Sequence, residues 1–289
     1  MISRAEHIAA AFKWACLTEL DAPKPGNVHA FAAGHRMTVE EFVRSADAAA
    51  TPLTAERARV GLRIHRAVMA TFAAVGANTN LGIVLLCAPL AAAAEHKAAG
   101  TDLRGALGGV LRGLDIDDAD LAFRAIARAA PAGLGHSARH DVSHPATVTL
   151  LQAMAEAADR DLVARQYATG FADIFDFGLP LLEAASEGGA DTKWGALATF
   201  LGFLSAYPDS HIVRKLGAET AHAVQREAAK FQGMLQAAKQ PAELLAALLA
   251  WDGALKRKGI NPGTSADLTV ATLFAYRLRT ILPSVRNSG

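Results

Sequence analysis

Apolar residues recur along this chain at intervals of three and four positions, which is the spacing of one face of an α-helix. The first such stripe runs from Ile2 to Leu20, and similar stripes follow through most of the 289 residues. No stretch shows the strict alternation of a half-buried strand, and no repeat of fixed period appears. With Thr38 and Thr54 as caps of the second and third helices, the pattern predicts helices over 2–21, 38–50, 54–75, 81–98, 102–113, 117–130, 143–158, 159–169, 171–187, 192–206, 210–229, 240–258 and 264–281.

One of these predicted helices is apolar on every side. The run from Leu81 to Ala94 is too short to span a bilayer and contains Pro89, so we interpret it as a helix buried at the centre of the fold. Gly76 marks the end of the helix before it. Because no long Gly/Ser linker interrupts the chain, we expect one compact all-α domain over residues 1–289.

Composition narrows the classes of function. The chain is 52% hydrophobic but only 6% aromatic, which favours many closely packed helices. The formal net charge is +1 with no basic run, which argues against a nucleic-acid partner. Cys16 and Cys87 lie in apolar helical patterns without disulfide or metal spacing, and no secretory signal is visible, so we expect a soluble cytoplasmic protein. A homodimer is compatible with this composition.

The segment after the first helix cannot itself be helical. Pro23 and Pro25 restrict the backbone, and Gly26 permits a turn that a side chain would obstruct. Such a stiff loop is either an ordinary helix connection or part of a binding site. The chemistry-bearing side chains that it presents are Lys24, Asn27, His29 and His35.

Two other helix starts are rich in amides and hydroxyls. Asn78-Thr79-Asn80 precedes the buried helix, where free backbone N–H groups can bind an anion, although capping of that helix is the alternative. The final helix begins with Asn261-Pro262-Gly263-Thr264-Ser265. Asp267 lies just inside it, within reach of a metal ion or a ribose hydroxyl.

Basic residues gather at a third helix start. Asp209 or Ser210 is placed to cap a helix that presents His211, Arg214 and Lys215 within its first turn and a half. Cations at the positive end of a helix are unfavourable unless an anion is present. This segment therefore predicts an anion-binding site.

Two segments have the composition of metal sites. His136, His140 and His144 are spaced four apart, as in a transition-metal cluster, but capping and solvent exposure are alternatives because glycine precedes and proline follows the segment. Asp173 and Asp176 are three apart on a predicted helix, so their carboxylates would face the same way. Mg²⁺ bound to phosphates is a natural partner for such a pair, and two surface acids are the alternative.

These segments together resemble the triphosphoribosyl-dephospho-CoA synthase family. The resemblance lies in P-K-P-G at Pro23–Gly26, N-T-x-x-G at Asn78–Gly82, D-S-H-I-V-R-K at Asp209–Lys215 and N-P-G-T-S-A-D-L at Asn261–Leu268. It covers nearly the whole chain in the expected order. It implies an all-α enzyme that joins the triphosphoribosyl group of ATP to 3′-dephospho-CoA and releases adenine. The chain departs from the family pattern at Asn27, His29, Asn80, Leu81 and Thr264, which leaves open another ribosyl donor or acceptor.

The resemblance implies roles for the singled-out residues. Acid and base catalysis would fall to members of the set His29, Asp209, His211 and Asp267, without individual assignment. The candidates for neutralising the triphosphate are Lys24, Arg214, Lys215 and Mg²⁺ held by Asp173 and Asp176. A related phosphoribosyl transferase with other substrates, such as phosphoribosyl diphosphate, and a non-catalytic nucleotide-binding protein are the alternative hypotheses. The predicted substrate-binding residues are Lys24, Pro25, Gly26, Asn27, His35, Asn78, Thr79, Asn80, Arg214, Lys215, Asn261, Gly263 and Ser265.

Overall fold

The protein is described here from a computed structural model that covers residues 2–35, 37–97, 101–131, 135, 139–186 and 191–281. Within these ranges the secondary structure is helical, which confirms the all-α prediction, and two isolated bridges in the proline loop are the only β pairings. The α-helices are α1 (Arg4–Asp21), α2 (Val39–Leu53), α3 (Val60–Val75), α4 (Leu81–His96), α5 (Leu103–Arg112), α6 (Ile116–Ala129), α7 (Leu150–Ala157), α8 (Leu162–Thr169), α9 (Leu179–Ser186), α10 (Thr192–Ala206), α11 (Ser210–Leu216), α12 (Ala218–Ala237), α13 (Leu245–Arg257) and α14 (Gly263–Ile281).

The core is built around α4, as its all-round apolar sequence predicts. From Leu81 to Ala94 every residue except Gly82 is buried, and α14 packs against α4 as well as α1 and α10. The alanines of α4 let neighbouring helices approach closely, and the surrounding leucines fill the space between them. No helix in the described residues combines the length and hydropathy that a bilayer span needs.

Local capping signals account for several helix boundaries. The Thr38 side chain accepts a hydrogen bond from the backbone N–H of Glu41, and the Glu41 carboxylate accepts one from the Thr38 N–H, so the predicted start of α2 is confirmed. Gly76 ends α3 in the left-handed region at φ 73°. A side chain is disfavoured in that conformation, which explains why glycine stops the helix there.

Two predicted helix starts are wrong. Thr54 does not open α3: its hydroxyl donates to the Ala50 carbonyl at 2.9 Å, so it ends α2, and α3 begins only at Val60. Helix does not resume near Ser143 either. Thr149 caps α7 by accepting from the Gln152 N–H at 3.3 Å, which places the start well after the proline that interrupts the preceding segment.

The predicted helix over 210–229 is also interrupted. Gly217 has φ 86° and separates α11 from α12. Arg214 and Lys215 therefore occupy the last turn of a short helix, where positive charge is favourable. The electrostatic conflict that predicted an anion at this position does not exist. A second irregularity is a π-helical turn over Asp173–Gly178 that leads into α9.

Candidate functional site

A cavity of about 910 Å³ opens between the N-terminal turn of α4 and the helices that surround it. It is lined by the end of α1, the proline loop, the starts of α4, α11 and α14, and the α7–α8 region. Its volume lies near the upper end of the ~300–1,000 Å³ range of small-molecule sites. Segments that lie far apart in the sequence meet here. The predicted site residues among its lining are Asn27, Asn78, Thr79, Asn80, His211, Arg214, Asn261, Gly263 and Asp267.

One side of the cavity, here called the carboxylate wall, consists of Glu19, Asn27, Asn80 and Asp267. Glu19 lies in the last turn of α1 and is 3% exposed. Its Oε1 forms an ion pair with Lys24 Nζ, whereas its Oε2 has no hydrogen bond to any described residue. Glu19 thus presents one occupied and one available oxygen.

Lys24 lies behind this wall, not in the cavity. Its side chain is fully buried, and besides Glu19 its Nζ donates to Asn27 Oδ1 at 3.3 Å and to the Val28 carbonyl at 3.0 Å. Asn27 in turn donates through Nδ2 to Asn261 Oδ1 at 2.8 Å. Lys24 therefore joins the end of α1 to the loop that carries Asn27 and, through that amide, to the start of α14.

Asp267 is the second carboxylate of this wall. Its Oδ2 packs against the backbone of Gly82, so close that a Cβ at that position would lie 2.0 Å away. No described residue forms a hydrogen bond or ion pair with it. Burial first, and then the negative charges of Asp209 and Glu19, raise the pKa of Asp267 well above its usual range. The carboxyl group that faces the start of α4 therefore keeps its proton to a higher pH than an ordinary aspartate does.

A second group of lining residues, here called the arginine wall, consists of Arg139, Arg160 and Arg214. Arg214 pairs with Asp161, which also caps α8 by accepting from the Val163 N–H at 2.9 Å. The ion pair thereby fixes α11 against α8. Arg214 Nε is buried without a partner among the described residues. Arg139 forms a 2.5 Å ion pair with Glu156.

His211 stands at the junction of α11 and α14. Its ring packs against Gly263, where a Cβ would lie 3.2 Å from Nδ1. Burial, followed by the positive charges of Arg214 and Lys215, lowers the pKa of His211 to about 4. The imidazole is therefore neutral near neutral pH and able to accept a proton.

Asp209 is fully buried and does not line the cavity. One carboxylate oxygen accepts from the His211 N–H at 2.9 Å, and the other accepts from the Ser265 N–H and hydroxyl at 2.7 and 2.8 Å. These bonds tie the start of α11 to the start of α14. Asp209 and Ser265 thus position His211 and Asp267 from behind the wall.

The rest of the proline loop is held by α13. Asp252 accepts from the Gly26 N–H at 2.8 Å and from Lys256 Nζ at 2.9 Å. His29 is fully buried, with Nε2 3.4 Å from Asp252 Oδ1, and His35 Nε2 lies 2.7 Å from the Gly26 carbonyl. These contacts anchor the loop. The remaining predicted substrate or catalytic residues outside the cavity lining are Lys24, Pro25, Gly26, His29, His35, Asp209, Lys215 and Ser265.

Asp173 and Asp176 do not form the predicted carboxylate pair. Asp173 is buried and accepts from Gln166 Nε2 at 2.7 Å, with Arg165 and Tyr207 as further partners. Asp176 is exposed and forms a two-bond pair with Arg104 at 2.5 and 2.8 Å. Each carboxylate is already neutralised by its own arginine, so the two do not fit a shared Mg²⁺, and neither lines the cavity.

The predicted histidine cluster is only partly covered by the structure. His136 lies outside the described residues. His140 lines the cavity with φ 52°, and His144 lies in a turn beside Ser143, so these two are not stacked on a continuous helix. Among the described ranges no group of three or more His, Cys, Asp or Glu side chains is placed to hold a metal ion.

Sequence reasoning missed two important cavity residues. Glu19 is a carboxylate in the last turn of a helix, where negative charge is unfavourable, and that local conflict was a signal. Asp161 was recognisable as a helix cap just before α8. Its pairing with Arg214 joins positions 53 residues apart and had no signal in the sequence.

Comparison with known proteins identifies relatives of this chain. The family model described as ATP:dephospho-CoA triphosphoribosyl transferase (CitG) matches residues 5–285. A "Probable 2-(5''-triphosphoribosyl)-3'-dephosphocoenzyme-A synthase" of Pectobacterium carotovorum is 34% identical over 110 residues, and one of Vibrio cholerae is 32% identical over 111. Each alignment covers 38% of this chain, and the chain spans about a third of those relatives (34% and 35%).

A solved structure has the same fold. The protein is from Archaeoglobus fulgidus and is assigned as a triphosphoribosyl-dephospho-coA synthase. It superposes with a TM-score of 0.60 at 22% identity, covering 80% of this chain and 95% of that one. At this identity the likeness shows a shared helical architecture.

Proposed function

We propose that this chain, which belongs to the ATP:dephospho-CoA triphosphoribosyl transferase family, joins the triphosphoribosyl group of ATP to the ribose 2′-hydroxyl of 3′-dephospho-CoA. Adenine is the leaving group. The observation that carries the proposal is the convergence on one cavity of the loop after α1 and the starts of α4, α11 and α14. These four segments hold the sequence motifs, and a protein without a polar ligand has no need to bring them together.

The arginine wall is the better binding surface for the triphosphate. Guanidinium groups form charge-assisted hydrogen bonds with phosphate oxygens, and the buried Nε of Arg214 lacks a partner among the described residues. The start of α4 is less suited to phosphate than its sequence suggested. Asp267 Oδ2 already packs against Gly82 in its first turn, so a phosphate would have to displace this side chain to reach the backbone there.

Two cavity residues have pKa values shifted in the directions that the reaction needs. In the proposed displacement the acceptor oxygen attacks C1′ and the bond from C1′ to adenine breaks, with inversion at that carbon. Neutral His211 takes the proton of the acceptor hydroxyl. Protonated Asp267 gives its proton to the departing adenine, which takes the electron pair of the broken bond. Asp209 positions both helices and is not itself in contact with substrate.

Mg²⁺ is proposed only as the companion of the ATP triphosphate. It would supply positive charge to the phosphate oxygens. Because Asp173 and Asp176 do not fit a shared ion, no residue is assigned as its ligand. Homodimer formation and a cytoplasmic location likewise stay predictions.

The test is an incubation of the purified protein with ATP, Mg²⁺ and 3′-dephospho-CoA. The proposal predicts free adenine by chromatography and a product whose mass equals dephospho-CoA plus the triphosphoribosyl group. Release of diphosphate from phosphoribosyl diphosphate, or release of adenine only with an alcohol other than 3′-dephospho-CoA, would favour the alternative transferase. Nucleotide binding without any turnover of either donor would favour a non-catalytic nucleotide-binding protein and contradict the proposal.

A further inference from the structure

Glu19 and Lys24 form a buried ion pair at the cavity wall, and the proposed reaction assigns no role to it. We propose that the free oxygen of Glu19 accepts a hydrogen bond from a ribose hydroxyl of the bound nucleotide, and that Lys24 positions Glu19 without touching phosphate. This inference rests on the proposed nucleotide substrate. It reverses the expectation from the sequence that Lys24 itself neutralises the triphosphate.

The placement of Lys24 excludes direct contact with a ligand in this structure. Its side chain has no exposed surface and is absent from the cavity lining, while Glu19 stands between it and the cavity. All three of its hydrogen-bond acceptors, on Glu19, Asn27 and Val28, belong to the protein. A buried ammonium group with its donors already engaged cannot bind phosphate without leaving those partners.

The chemistry of Glu19 points to a neutral donor. Lys24 balances the charge of the carboxylate, so the pair offers a ligand little net attraction for a second cation. An ionised carboxylate has only acceptor oxygens, and Oε2 is the one left without a hydrogen bond to the described residues. A neutral O–H is the matching partner, because it completes the hydrogen bonding of a buried charge without adding another.

The distribution of charged side chains around the cavity determines which part of the nucleotide lies next to Glu19. The three arginines of the arginine wall suit the triphosphate, whereas Glu19 belongs to the group of acidic and amide side chains with Asn27, Asn80 and Asp267. With Asp267 proposed to protonate the leaving adenine, C1′ must lie beside the same wall. The ribose hydroxyls next to C1′ are then the donors nearest Glu19.

The experiment measures binding and does not depend on turnover. Affinities of ATP, 2′-deoxy-ATP, 3′-deoxy-ATP and tripolyphosphate are compared by calorimetry for the wild type and Glu19→Gln. The glutamine keeps the shape, but its amide group offers a donor where Oε2 accepted. A hydrogen bond to a charged group is worth about 1.5–3 kcal/mol, so we expect ATP to bind roughly ten-fold or more weakly to the variant. One of the two deoxy nucleotides should bind both proteins equally.

Lys24→Met and the double variant Glu19→Gln/Lys24→Met separate positioning from contact. We expect both to keep wild-type affinity for tripolyphosphate and to lose affinity for ATP to the same extent as Glu19→Gln. The double variant removes both charges together, so it avoids leaving one of them buried and unpaired. Arg63→Met/Glu95→Gln is the matched control, since that ion pair has a fully buried arginine and lies outside the cavity lining.

Three results would overturn the inference. Equal losses for ATP and both deoxy nucleotides would show that Glu19 does not accept from a ribose hydroxyl. Weaker tripolyphosphate binding by Lys24→Met would show that Lys24 contacts phosphate. Failure of the wild type to bind either ATP or adenosine would show that the cavity does not bind a nucleotide. Binding of ATP without adenine release, by contrast, would contradict the proposed function and leave this inference standing.

Discussion

The two walls of the cavity are built in different ways. On the arginine wall, Arg214 is paired with Asp161 at the edge of the cavity, and both side chains keep part of their surface exposed. On the carboxylate wall, Glu19 is almost completely buried and its cation lies behind it. The first arrangement leaves a partly exposed cation that can exchange its carboxylate partner for an incoming anion. The second fixes an acceptor in place, which is useful for orientation but weak as a source of charge attraction.

The type of a residue does not decide its role in this site. Lys24 and Arg214 both looked like phosphate ligands in the sequence, but only Arg214 lines the cavity. His29 and His211 were both candidates for acid–base catalysis, but His29 is fully buried under α13. In each case a partner distant in sequence decides whether the side chain faces the cavity.

The largest expected effect is on the chemical step. Asp267→Asn removes the proposed proton donor while keeping its shape, so we expect kcat to fall about 10²- to 10⁴-fold. The affinity for ATP should change little, because the phosphate contacts lie on the other wall. Rapid-quench measurement of adenine release checks this, with the surface variant Asp47→Asn as control. A normal kcat in Asp267→Asn would show that Asp267 is not the proton donor.

Arg214→Met should weaken the arginine wall. Loss of one charge-assisted contact costs about 1.5–3 kcal/mol, so the Kd for ATP should rise roughly ten-fold or more. The variant also leaves Asp161 without its partner, and a thermal melt will show whether α11 has loosened from α8. Arg279→Met removes an exposed pair with Glu183 and serves as the control. An unchanged Kd would mean that phosphate binds elsewhere.

Gly82→Ala should displace Asp267, a member of the carboxylate wall. The new Cβ would overlap Asp267 Oδ2, which must move or push α4 aside. Overpacking of this kind costs about 1–3 kcal/mol of stability, and we expect adenine release to slow as the carboxyl group shifts. Gly109→Ala, which has open space around it in α5, should instead be neutral or stabilising. Full activity in Gly82→Ala would argue against a precise role for Asp267.

The pH dependence of kcat should report the titration of Asp267 and of His211 separately. Asp267 acts protonated and its pKa is raised, so activity is present at low pH and lost as pH rises through that pKa. Glu19→Gln removes a negative charge that raises the pKa of Asp267, so the alkaline limb of kcat should move to lower pH. The acid limb, set by His211 near pH 4, should stay in place. A stationary alkaline limb would separate Glu19 from Asp267.

Much of the fold could be predicted from local sequence. The capping residues Thr38 and Gly76 and the apolar run of α4 set their boundaries through nearby atoms, so the pattern was sufficient. Thr54 was misassigned because the same hydroxyl can open a helix or close one by bonding the carbonyl four residues back. The choice between these depends on the residues around it.

Only part of the candidate site could be predicted from the sequence. Helix starts placed Asn78 and Asn261 correctly in the cavity, because N-terminal turns point their free groups outward from the helix. The orientation of the proline loop could not be predicted. Asp252 holds Gly26 across 226 positions of the chain, and this contact turns His29 away from the cavity.

The division of labour between the walls is tested most directly by titrating the two halves of ATP separately. Tripolyphosphate and adenosine are each titrated into the wild type, Arg214→Met and Asp267→Asn. We predict that tripolyphosphate affinity falls only in Arg214→Met and that adenosine affinity is unchanged there. Loss of tripolyphosphate binding in Asp267→Asn, with normal binding in Arg214→Met, would contradict the assignment of phosphate to the arginine wall.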